Sequence, residues 1–370
     1  MKIKLYAVVT ALVLVPTPAA AAESTDWPQP GYGPGNTHYN PAESRLNAAT
    51  IARVEQRWTL PTRTSNCDVG AQPVVKGKSL YSNDPGGIGA YDTATGKRRW
   101  HVALPRTTVR SLALADGKLL MLSSECRVPA KFESHLSAFD PATGSRLWAT
   151  GLEKFSYDMR VDRGTVVLDS NRDGLASTIA YAVVDGKFRW LRRGDRGDGL
   201  VSAGGRLLLR RAGGGAVAVA VTSGKTLWQT TGNWYAVGAD PAGTRFYVAG
   251  GPGLSAVEAA TGKVVWSTRI QAGDVTADNN HVFFSRHRSA TALDAGTGRK
   301  LYSVHTAAAA GRCVRAGGLL YTPTSAGLSV ASAATGVPLK VKLSADQDHP
   351  PVVAGGWLYV TRGGVLRAYY

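Results

Sequence analysis

Short runs in which apolar and polar residues alternate recur along this chain, and turns rich in glycine separate them. A period of two residues predicts β-strands with one buried face, and the glycine turns predict hairpins between them. One strand of each repeating unit is especially clear, at residues 79–81, 119–121, 165–168, 207–209, 246–248, 282–284 and 319–321. The pattern therefore predicts an all-β protein built from similar units.

The units share a turn that is clearest at residues 140–148, with the sequence DPATGSRLW. The aspartate caps the turn with its side-chain oxygen, and the glycine takes the positive φ of a tight hairpin. Copies of this glycine lie 36 to 48 residues apart, at positions 96, 144, 186, 224, 262, 298 and 336. A repeat of about 40 residues made of short strands is typical of the blades of a β-propeller.

A large aromatic residue follows the turn glycine by four positions in six of the units. Trp58 precedes the first unit in the same way, whereas Lys340 stands at this position in the last copy. Large aromatic side chains bury much apolar area, while the indole N–H can still reach an acceptor. We therefore expect the following residues to pack between neighbouring blades: Trp58, Trp100, Trp148, Trp190, Trp228, Trp266 and Tyr302.

The two ends of the chain complement each other. Residues 351–369 contain three predicted strands and no fourth, whereas residues 54–58 form one predicted strand that belongs to no other unit. We predict that residues 54–58 complete the last blade, because this closes the ring and removes two free sheet edges. The fold is then an eight-bladed β-propeller of four-stranded antiparallel blades. Seven blades is the alternative if residues 54–58 do not complete a separate blade.

Residues 1–22 have the pattern of a secretory signal peptide, with Lys2, Lys4, an apolar run over residues 5–15 and small residues up to Ala22. The apolar run is too short to span a membrane. We expect an extended N-terminal segment over residues 23–50 and a single propeller domain over residues 51–370. The mature protein should be secreted or extracytoplasmic and associated with the cell envelope, and the absence of a cysteine at the cleavage site gives no support for a lipid anchor.

The chain is basic, with a formal net charge of +17 that falls to +15 without Lys2 and Lys4. Outside the cell, an acidic protein or an anionic surface polymer is a natural partner for such a chain, whereas nucleic acid is not. We expect a monomer whose ring places many of these charges along one basic rim, the alternative being a rim that is only solvated. The rim residues are Lys97, Arg98, Arg99, Arg146, Lys187, Arg189, Lys225, Lys263, Arg299 and Lys300.

Three cysteines in an oxidising compartment predict one disulfide and one free thiol. Cys67 precedes the first strand of the first unit, and Cys126 follows the second strand of the next unit. Both positions lie on the same face of adjacent blades. We therefore favour the pair Cys67–Cys126, with Cys67–Cys313 as the alternative.

The repeat at residues 90–100, with the sequence AYDTATGKRRW, resembles the tryptophan-docking repeat of β-propellers of the pyrroloquinoline quinone (PQQ) type. Residues 27–31 and 40–43 resemble the N-terminal segment of the same proteins. The resemblance covers nearly the whole mature chain and implies the propeller fold. It implies one of two functions: oxidation of alcohols or sugars with the quinone and Ca²⁺, or a cofactor-free binding platform such as the lipoprotein propeller of the outer-membrane barrel assembly machinery.

The chain is more similar to the cofactor-free members. The quinone-dependent alcohol dehydrogenases are longer and carry two adjacent cysteines, whereas no two cysteines are adjacent in this chain. The resemblance therefore implies an exported scaffold that binds a protein, a peptide or an anionic surface polymer, with no cofactor expected. The alternative is a PQQ-dependent oxidoreductase that also holds Ca²⁺.

The innermost strands of a propeller, and the loops that lead into them, line a central funnel where a ligand site is expected. The residues at these places that could contribute to such a site are Asp68, Arg110, Asp158, Arg160, Asp198, Trp234, Asp274, Asp348 and His349. Paired carboxylates could transfer protons or hold a cation. The alternative is that these residues are the ordinary polar loops of a propeller.

A further candidate site lies at residues 169–174, with the sequence DSNRDG. Asp169, Asn171 and Asp173 place oxygen atoms at alternate positions before a glycine turn, as the opening of a Ca²⁺ loop does. Ala180 stands where a full loop has its glutamate, and Arg172 adds an opposing charge. The match predicts a weak metal site, and an Asx-type hairpin turn is the alternative.

Overall fold

A computed structural model describes residues 25–62, 70–126, 134–152, 155–172, 175–341, 343 and 349–370. The described residues form eight sheets, each built around four antiparallel strands. The predicted eight-bladed β-propeller is confirmed, and the alternative of seven blades is wrong. The predicted signal peptide, residues 1–22, lies outside the described residues.

Blades 1 to 4 follow one another along the chain. Their strands are Val74–Lys76, Ser79–Asp84, Gly87–Asp92 and Arg98–Ala103 in blade 1; Thr107–Ala115, Lys118–Glu125, Ser134–Phe139 and Arg146–Leu152 in blade 2; Phe155–Asp162, Thr165–Arg172, Leu175–Ala182 and Phe188–Arg193 in blade 3; and Asp195–Arg196, Ser202–Ala203, Arg206–Arg211, Ala216–Ala220 and Thr226–Thr230 in blade 4.

Blades 5 to 8 complete the ring. Their strands are Tyr235–Ala239, Arg245–Ala249, Ser255–Glu258 and Val264–Ser267 in blade 5; Val275–Ala277, His281–Arg286, Ser289–Asp294 and Lys300–His305 in blade 6; Val314–Ala316, Leu319–Thr324, Gly327–Ser332 and Pro338–Leu339 in blade 7; and Val352–Ala354, Trp357–Arg362, Val365–Tyr369 and Gln56–Pro61 in blade 8. The described N-terminal residues add a strand, Tyr39–Asn40, parallel to the first strand of blade 7 and a 3₁₀ turn at Ile51–Arg53. None of the described residues forms a helix long and apolar enough to span a membrane.

The N-terminal strand of blade 8 closes the ring. Gln56–Pro61 pairs antiparallel with Val365–Tyr369. This strand begins two residues later and ends three residues later than the predicted strand over residues 54–58. Backbone hydrogen bonds of 3.2 and 3.0 Å between Glu55 and Tyr370 continue the ladder beyond the strand ends. The predicted closure by a segment from the opposite end of the chain is therefore confirmed.

The apolar core lies between the blades because successive residues of a strand point to opposite faces of the sheet. In blade 6, Val282 and Phe284 pack towards blade 5, whereas Phe283 packs towards blade 7. Each sheet therefore contributes to two layers of core. The outcome is a ring in which every blade depends on both of its neighbours.

An aromatic residue on each of seven outer strands contacts the next blade. The indole N–H of Trp100, for example, donates to the carbonyl of Pro141 at 3.0 Å, and its ring lies against Gly144. The turn glycines have φ between 65 and 75°, and an added Cβ would lie 2.5 to 2.8 Å from the aromatic ring. A register shift of the β-bulge type precedes each of these aromatic residues, which turns its side chain towards the neighbouring blade.

Candidate functional site

The N-terminal segment crosses one end of the central channel. Each innermost strand is hydrogen-bonded to this segment. The bonded residues of the segment follow the order of the blades, from Trp27 at blade 1 to Asn40 at blade 8. The bonded residues of blades 1 to 8 are Val75, Leu114, Val161, Ser202, Ala239, Ala277, Arg315 and Val353. We call this side of the ring the covered face and the opposite side the open face. Because residues 27–40 cover one mouth, the channel is reached from the open face.

Arg160 lies directly beneath the N-terminal segment and is 2% exposed. Its Nε donates to the carbonyl of Leu200 at 3.0 Å, and its Nη atoms donate to the carbonyls of Pro30 and Gly33 and to Oδ1 of Asn36. Burial lowers the pKa of Arg160. Since its acceptors are backbone and amide oxygens, this arginine holds the segment in place and adds positive charge to the channel.

His38 and Arg312 connect the N-terminal segment to the open face. Arg312 donates to Nε2 of His38 at 2.9 Å, which requires a neutral imidazole with its proton on Nδ1. Burial, then the charges of Arg312 and Arg160, lower the pKa of His38 well below 6.5. Arg312 also pairs with the carboxylate of Asp274. Burial and the charge of Arg160 lower the pKa of Arg312 to about 10, so Arg312 stays charged at neutral pH.

A cleft of about 560 Å³ opens above this group, and we call it the axial cleft. Its lining residues come from the loops of blades 6, 7 and 8 and are Asp274, Ala309, Ala310, Gly311, Arg312, Pro323, Thr324, Ser325, His349 and Pro350. The Asp274 side chain is 55% exposed, while Arg312 is mostly buried at 21%. The cleft therefore offers a solvent-facing carboxylate, a recessed guanidinium and an imidazole to a polar ligand or to a protein side chain.

Asp274 and His349 are the predicted funnel residues that the structure brings together, since both line the axial cleft. Arg160 lies deeper, under the covered face. Asp68 and Asp348 lie outside the described residues, and their places in the funnel stay predictions.

Two other predicted funnel residues have partners away from the axial cleft. Arg110 donates to the hydroxyl of Ser124 at 3.1 Å, and its guanidinium carbon lies 5.0 Å from the ring centre of Phe155. Trp234 packs against the apolar layer of blades 4 and 5. Stacking and packing occupy these side chains, so neither belongs to the group formed by Asp274, Arg312 and His349.

Three aspartates form a separate group in blades 3 and 4. Asp198 pairs with Arg210 at 2.8 Å, and Asp158 accepts the N–H of Met159 at 2.7 Å. Asp158 lies opposite Asp169 on the adjacent strand. Burial, with the charges of Asp198 and Asp158, raises the pKa of Asp169 to about 6. Like charges held close together in a partly buried site favour the protonated form of one of them.

Asp169 is the one predicted Ca²⁺ ligand whose side chain is described. The side chain of Asn171 and the whole of Asp173 lie outside the described residues, so this site stays a prediction. Elsewhere in the described ranges, no group of three His, Cys, Asp or Glu side chains could hold a metal ion.

The structure tests part of the predicted cysteine pairing. Cys126 is disulfide-bonded, whereas Cys313 is a buried free thiol, so the alternative pair Cys67–Cys313 is wrong. Cys67 lies outside the described residues, and the favoured pair Cys67–Cys126 stays a prediction.

Sequence reasoning missed Arg312 and His38, which connect the axial cleft to the N-terminal segment. Arg312 lies two residues before the innermost strand of blade 7, and Asp274 lies one residue before that of blade 6. A place just before an innermost strand was therefore the available signal for Arg312. No signal of this kind existed for His38, because the N-terminal segment occurs once and has no repeat to compare it with.

Comparisons with known proteins agree with this architecture. A family of PQQ-type repeats, described as outer membrane protein assembly factor BamB, matches the chain. The matched residues are 42–148, 132–238 and 213–336. No curated protein sequence matches the chain.

Solved structures of similar shape include two dehydrogenases and BamB. The quinohemoprotein alcohol dehydrogenase of Comamonas testosteroni has a TM-score of 0.70 and 14% identity, over 93% of this chain and 80% of the other. BamB of Moraxella catarrhalis has a TM-score of 0.64 and 15% identity, over 86% and 98%. A europium-containing methanol dehydrogenase has a TM-score of 0.64 and 13% identity, over 90% and 89%. At these identities the likeness concerns the fold alone.

Proposed function

Since the chain belongs to the family described as outer membrane protein assembly factor BamB, we propose that it is an exported scaffold whose open face binds a protein or peptide. The family description names an assembly factor, and assembly requires a surface that holds other proteins. One observation carries the choice of face: residues 27–40 occupy the covered mouth, while the axial cleft is open. The partner that fits the axial cleft presents polar side chains to Asp274, Arg312 and His349.

The basic rim supports this proposal less well than the open face does. Arg99 pairs with Asp92 at 2.8 Å, and Lys187 pairs with Asp185 at 3.1 Å. Part of the predicted charge is therefore compensated within the turns themselves. An anionic surface polymer on the rim is accordingly the weaker form of the proposal.

A pair of matched variants tests the choice of face. Ser325 and Ala334 are small, exposed residues of blade 7, and they lie on the open and the covered face respectively. A tryptophan at Ser325 fills the axial cleft, whereas a tryptophan at Ala334 enlarges a turn on the other side. We expect Ser325→Trp to reduce the partner retained on the purified protein at least about fivefold, and Ala334→Trp to leave it within about twofold.

The partner is measured by crosslinking in the native envelope, followed by purification of the tagged chain. Loss of the same crosslinked species with Ala334→Trp, and its retention with Ser325→Trp, would contradict binding at the open face. Both variants are checked for unchanged thermal unfolding, so that a folding defect is not mistaken for a binding defect.

The alternative, an oxidoreductase that uses PQQ and Ca²⁺ on alcohols or sugars, draws support from the two dehydrogenases of similar shape. The recessed guanidinium of Arg312 could face a carboxylate of the quinone. However, in the described part of the chain no three acidic, histidine or cysteine side chains are placed so that they could hold a metal ion together, the aspartates of blades 3 and 4 included. Among the described residues, the carboxylate ligands that Ca²⁺ would need are therefore not assembled at one place. Reduction of an artificial electron acceptor by the purified protein, reconstituted with quinone and Ca²⁺, would favour this alternative.

A further inference from the structure

A second cleft, of about 540 Å³, lies between the outer parts of blades 5 and 6, and we call it the outer cleft. Its lining combines basic residues with hydroxyl groups and a small apolar wall, and none of the described residues that line it is acidic. The lining residues are Ile270, Phe284, Arg286, His287, Arg288, Ser289, Thr291, Lys300 and His305. A cleft with this lining has a positive potential, and its size is that of a small-molecule site.

The strand register of blade 6 explains why these groups face the same space. Arg286 lies opposite Ser289, and Ser289 lies opposite His305 on the outermost strand. Residues that face each other across antiparallel strands have Cβ atoms about 5 Å apart on the same side of the sheet. A guanidinium, a hydroxyl and an imidazole therefore form one row. In the row below, the hydroxyls of Thr291 and Ser303 are hydrogen-bonded to each other at 2.9 Å.

The charge in the outer cleft is not compensated by neighbouring acids. Among the residues that the structure describes, no carboxylate pairs with Arg286, Arg288 or Lys300. The Arg288 guanidinium instead donates to the carbonyl of Ala307. Lys300 thus belongs to both the basic rim and the outer cleft, but it differs from the rim residues Arg99 and Lys187, which turn aspartates neutralise. The cations of the outer cleft remain available as donors to an external anion.

The hairpin that carries these residues uses a backbone conformation that favours glycine. His287 is the first loop residue of this hairpin in blade 6 and has φ of 52°. In blade 8 the corresponding loop residue is Gly363, with φ of 56°. A side chain is disfavoured at positive φ, and such residues are often found where their chemistry is used. The histidine thus adds an imidazole at a place where blade 8 has a glycine.

We propose that the outer cleft binds the phosphate group of a phosphate ester. A phosphate presents three strong acceptor oxygens, and the guanidinium, ammonium and imidazole groups of the outer cleft can donate to them together. The Ser289 hydroxyl donates to the carbonyl of Arg286 at 3.2 Å and is not counted among these donors. The cleft is larger than a single phosphate, and Phe284 with Ile270 provides a wall for an organic portion of the ligand. This site lies apart from the axial cleft and does not depend on the function proposed for it.

Calorimetric titration of the purified chain with inorganic phosphate and glycerol 3-phosphate at low ionic strength tests this proposal. The test variant Arg286→Ala with Lys300→Ala removes two cations from the outer cleft. The control variant Lys97→Ala with Arg98→Ala removes two exposed cations from the basic rim. We expect the test variant to weaken binding about tenfold or more, the loss that follows from one charge-assisted hydrogen bond, and the control to change it by less than about twofold.

Vesicles distinguish the two sources of phosphate. Binding of glycerol 3-phosphate in solution assigns the site to a soluble phosphate ester. Binding to phosphatidylglycerol vesicles but not to phosphatidylcholine vesicles, lost in the test variant, assigns it to a lipid headgroup.

Three results would overturn the proposal. The first is no binding of any phosphate probe, and the second is an equal loss in the test and control variants. The third is binding of acetate as strong as that of glycerol 3-phosphate, because a planar carboxylate does not use the same set of donors. Arg286 and Lys300 are exposed, and unchanged thermal unfolding of both variants shows that the comparison concerns folded protein.

Discussion

Seven of the junctions between blades differ from the eighth. At the seven, an aromatic residue of one blade lies against the turn glycine of the next, as Trp100 does against Gly144. Between blades 7 and 8, Lys340 stands in place of the aromatic residue, and blade 8 has no such turn because its outer strand is Gln56–Pro61. The comparison shows that the repeat supplies its own junction except where the chain has to close.

The N-terminal segment takes over at the eighth junction. Its strand Tyr39–Asn40 pairs with blade 7, and the Asn40 side chain donates to the carbonyl of Val353 in blade 8 at 2.8 Å. The Glu43 carboxylate accepts the N–H of Gly356 in blade 8 at 2.9 Å. A segment that covers one mouth of the channel therefore also joins the two blades that lack an aromatic contact.

The largest expected effect is that of Trp58→Ala at the closing strand. Trp58 donates to the carbonyl of Thr93 at 2.9 Å and packs near Trp357 and Tyr359. Truncation of this partly buried large aromatic residue should lower the free energy of unfolding by about 3 kcal/mol, the lower end of the range for buried ones. Urea unfolding measures this loss, and substitution of the exposed neighbouring residue, Thr59→Ala, is the control.

Trp148→Ala gives the corresponding value for an ordinary junction, since Trp148 donates to the carbonyl of Val183 at 3.2 Å. Equal losses in Trp58→Ala and Trp148→Ala would show that closure uses the same contact as the repeats. A loss for Trp58→Ala no greater than that for Thr59→Ala would contradict closure by this strand.

Asn40→Ala tests the eighth junction directly. Asn40 is fully buried, and its side chain bonds to the carbonyls of Val353 and Thr25 and to the N–H of Ala42. The variant leaves these buried groups without their partner, which should lower the free energy of unfolding by about 2–3 kcal/mol. Thermal or urea unfolding measures this loss.

Asn47→Ala is the matched control for Asn40→Ala. The Asn47 side chain bonds only within its own turn, to the carbonyl of Ser44 and the N–H of Ala49, and both bonds are exposed to solvent. The control should change the free energy of unfolding by about 0.5 kcal/mol or less. If the two variants lose equally, the N-terminal segment does not join blades 7 and 8 through Asn40.

Gly144→Ala measures what the aromatic contact demands of the turn. Gly144 has φ of 75°, and a Cβ there would lie 2.7 Å from the Trp100 ring. Gly117 has φ of 72°, but its Cβ would meet nothing within 4 Å. Both alanines bear the strain of positive φ, about 1–2 kcal/mol, and only the first also displaces the ring.

We expect Gly144→Ala to lower the free energy of unfolding by about 1 kcal/mol more than Gly117→Ala, the scale of an overpacked contact. Urea unfolding of both variants measures the difference. Equal losses would mean that the glycine serves the turn alone and not the junction.

The repeats explain how much of this could be read from the sequence. The glycine and tryptophan of each unit recur at fixed spacing, so the blade number and the closing strand followed from counting. The group of His38, Arg312 and Asp274 could not be found by counting repeats, because the N-terminal segment occurs once and is hydrogen-bonded to the blades mainly through backbone atoms. Backbone hydrogen bonds place little constraint on the residue type. In the sequence, a polar loop residue with a distant partner therefore looks the same as one that is only solvated.

The smallest effect is expected from adding an aromatic residue to the eighth junction, with Lys340→Trp. The junction contact is expected to need both an aromatic ring and a turn glycine. Blade 8 has no such turn, because the backbones of Glu55 and Tyr370 are hydrogen-bonded to each other at that place. The free energy of unfolding should then change by less than about 0.5 kcal/mol, as for an ordinary surface substitution.

Lys340→Ala controls for loss of the charge, and Tyr302→Ala at the junction of blades 6 and 7 shows the full loss of an aromatic contact. A gain of more than about 1 kcal/mol for Lys340→Trp would mean that the ring alone is sufficient, and that the N-terminal segment is not required to replace it.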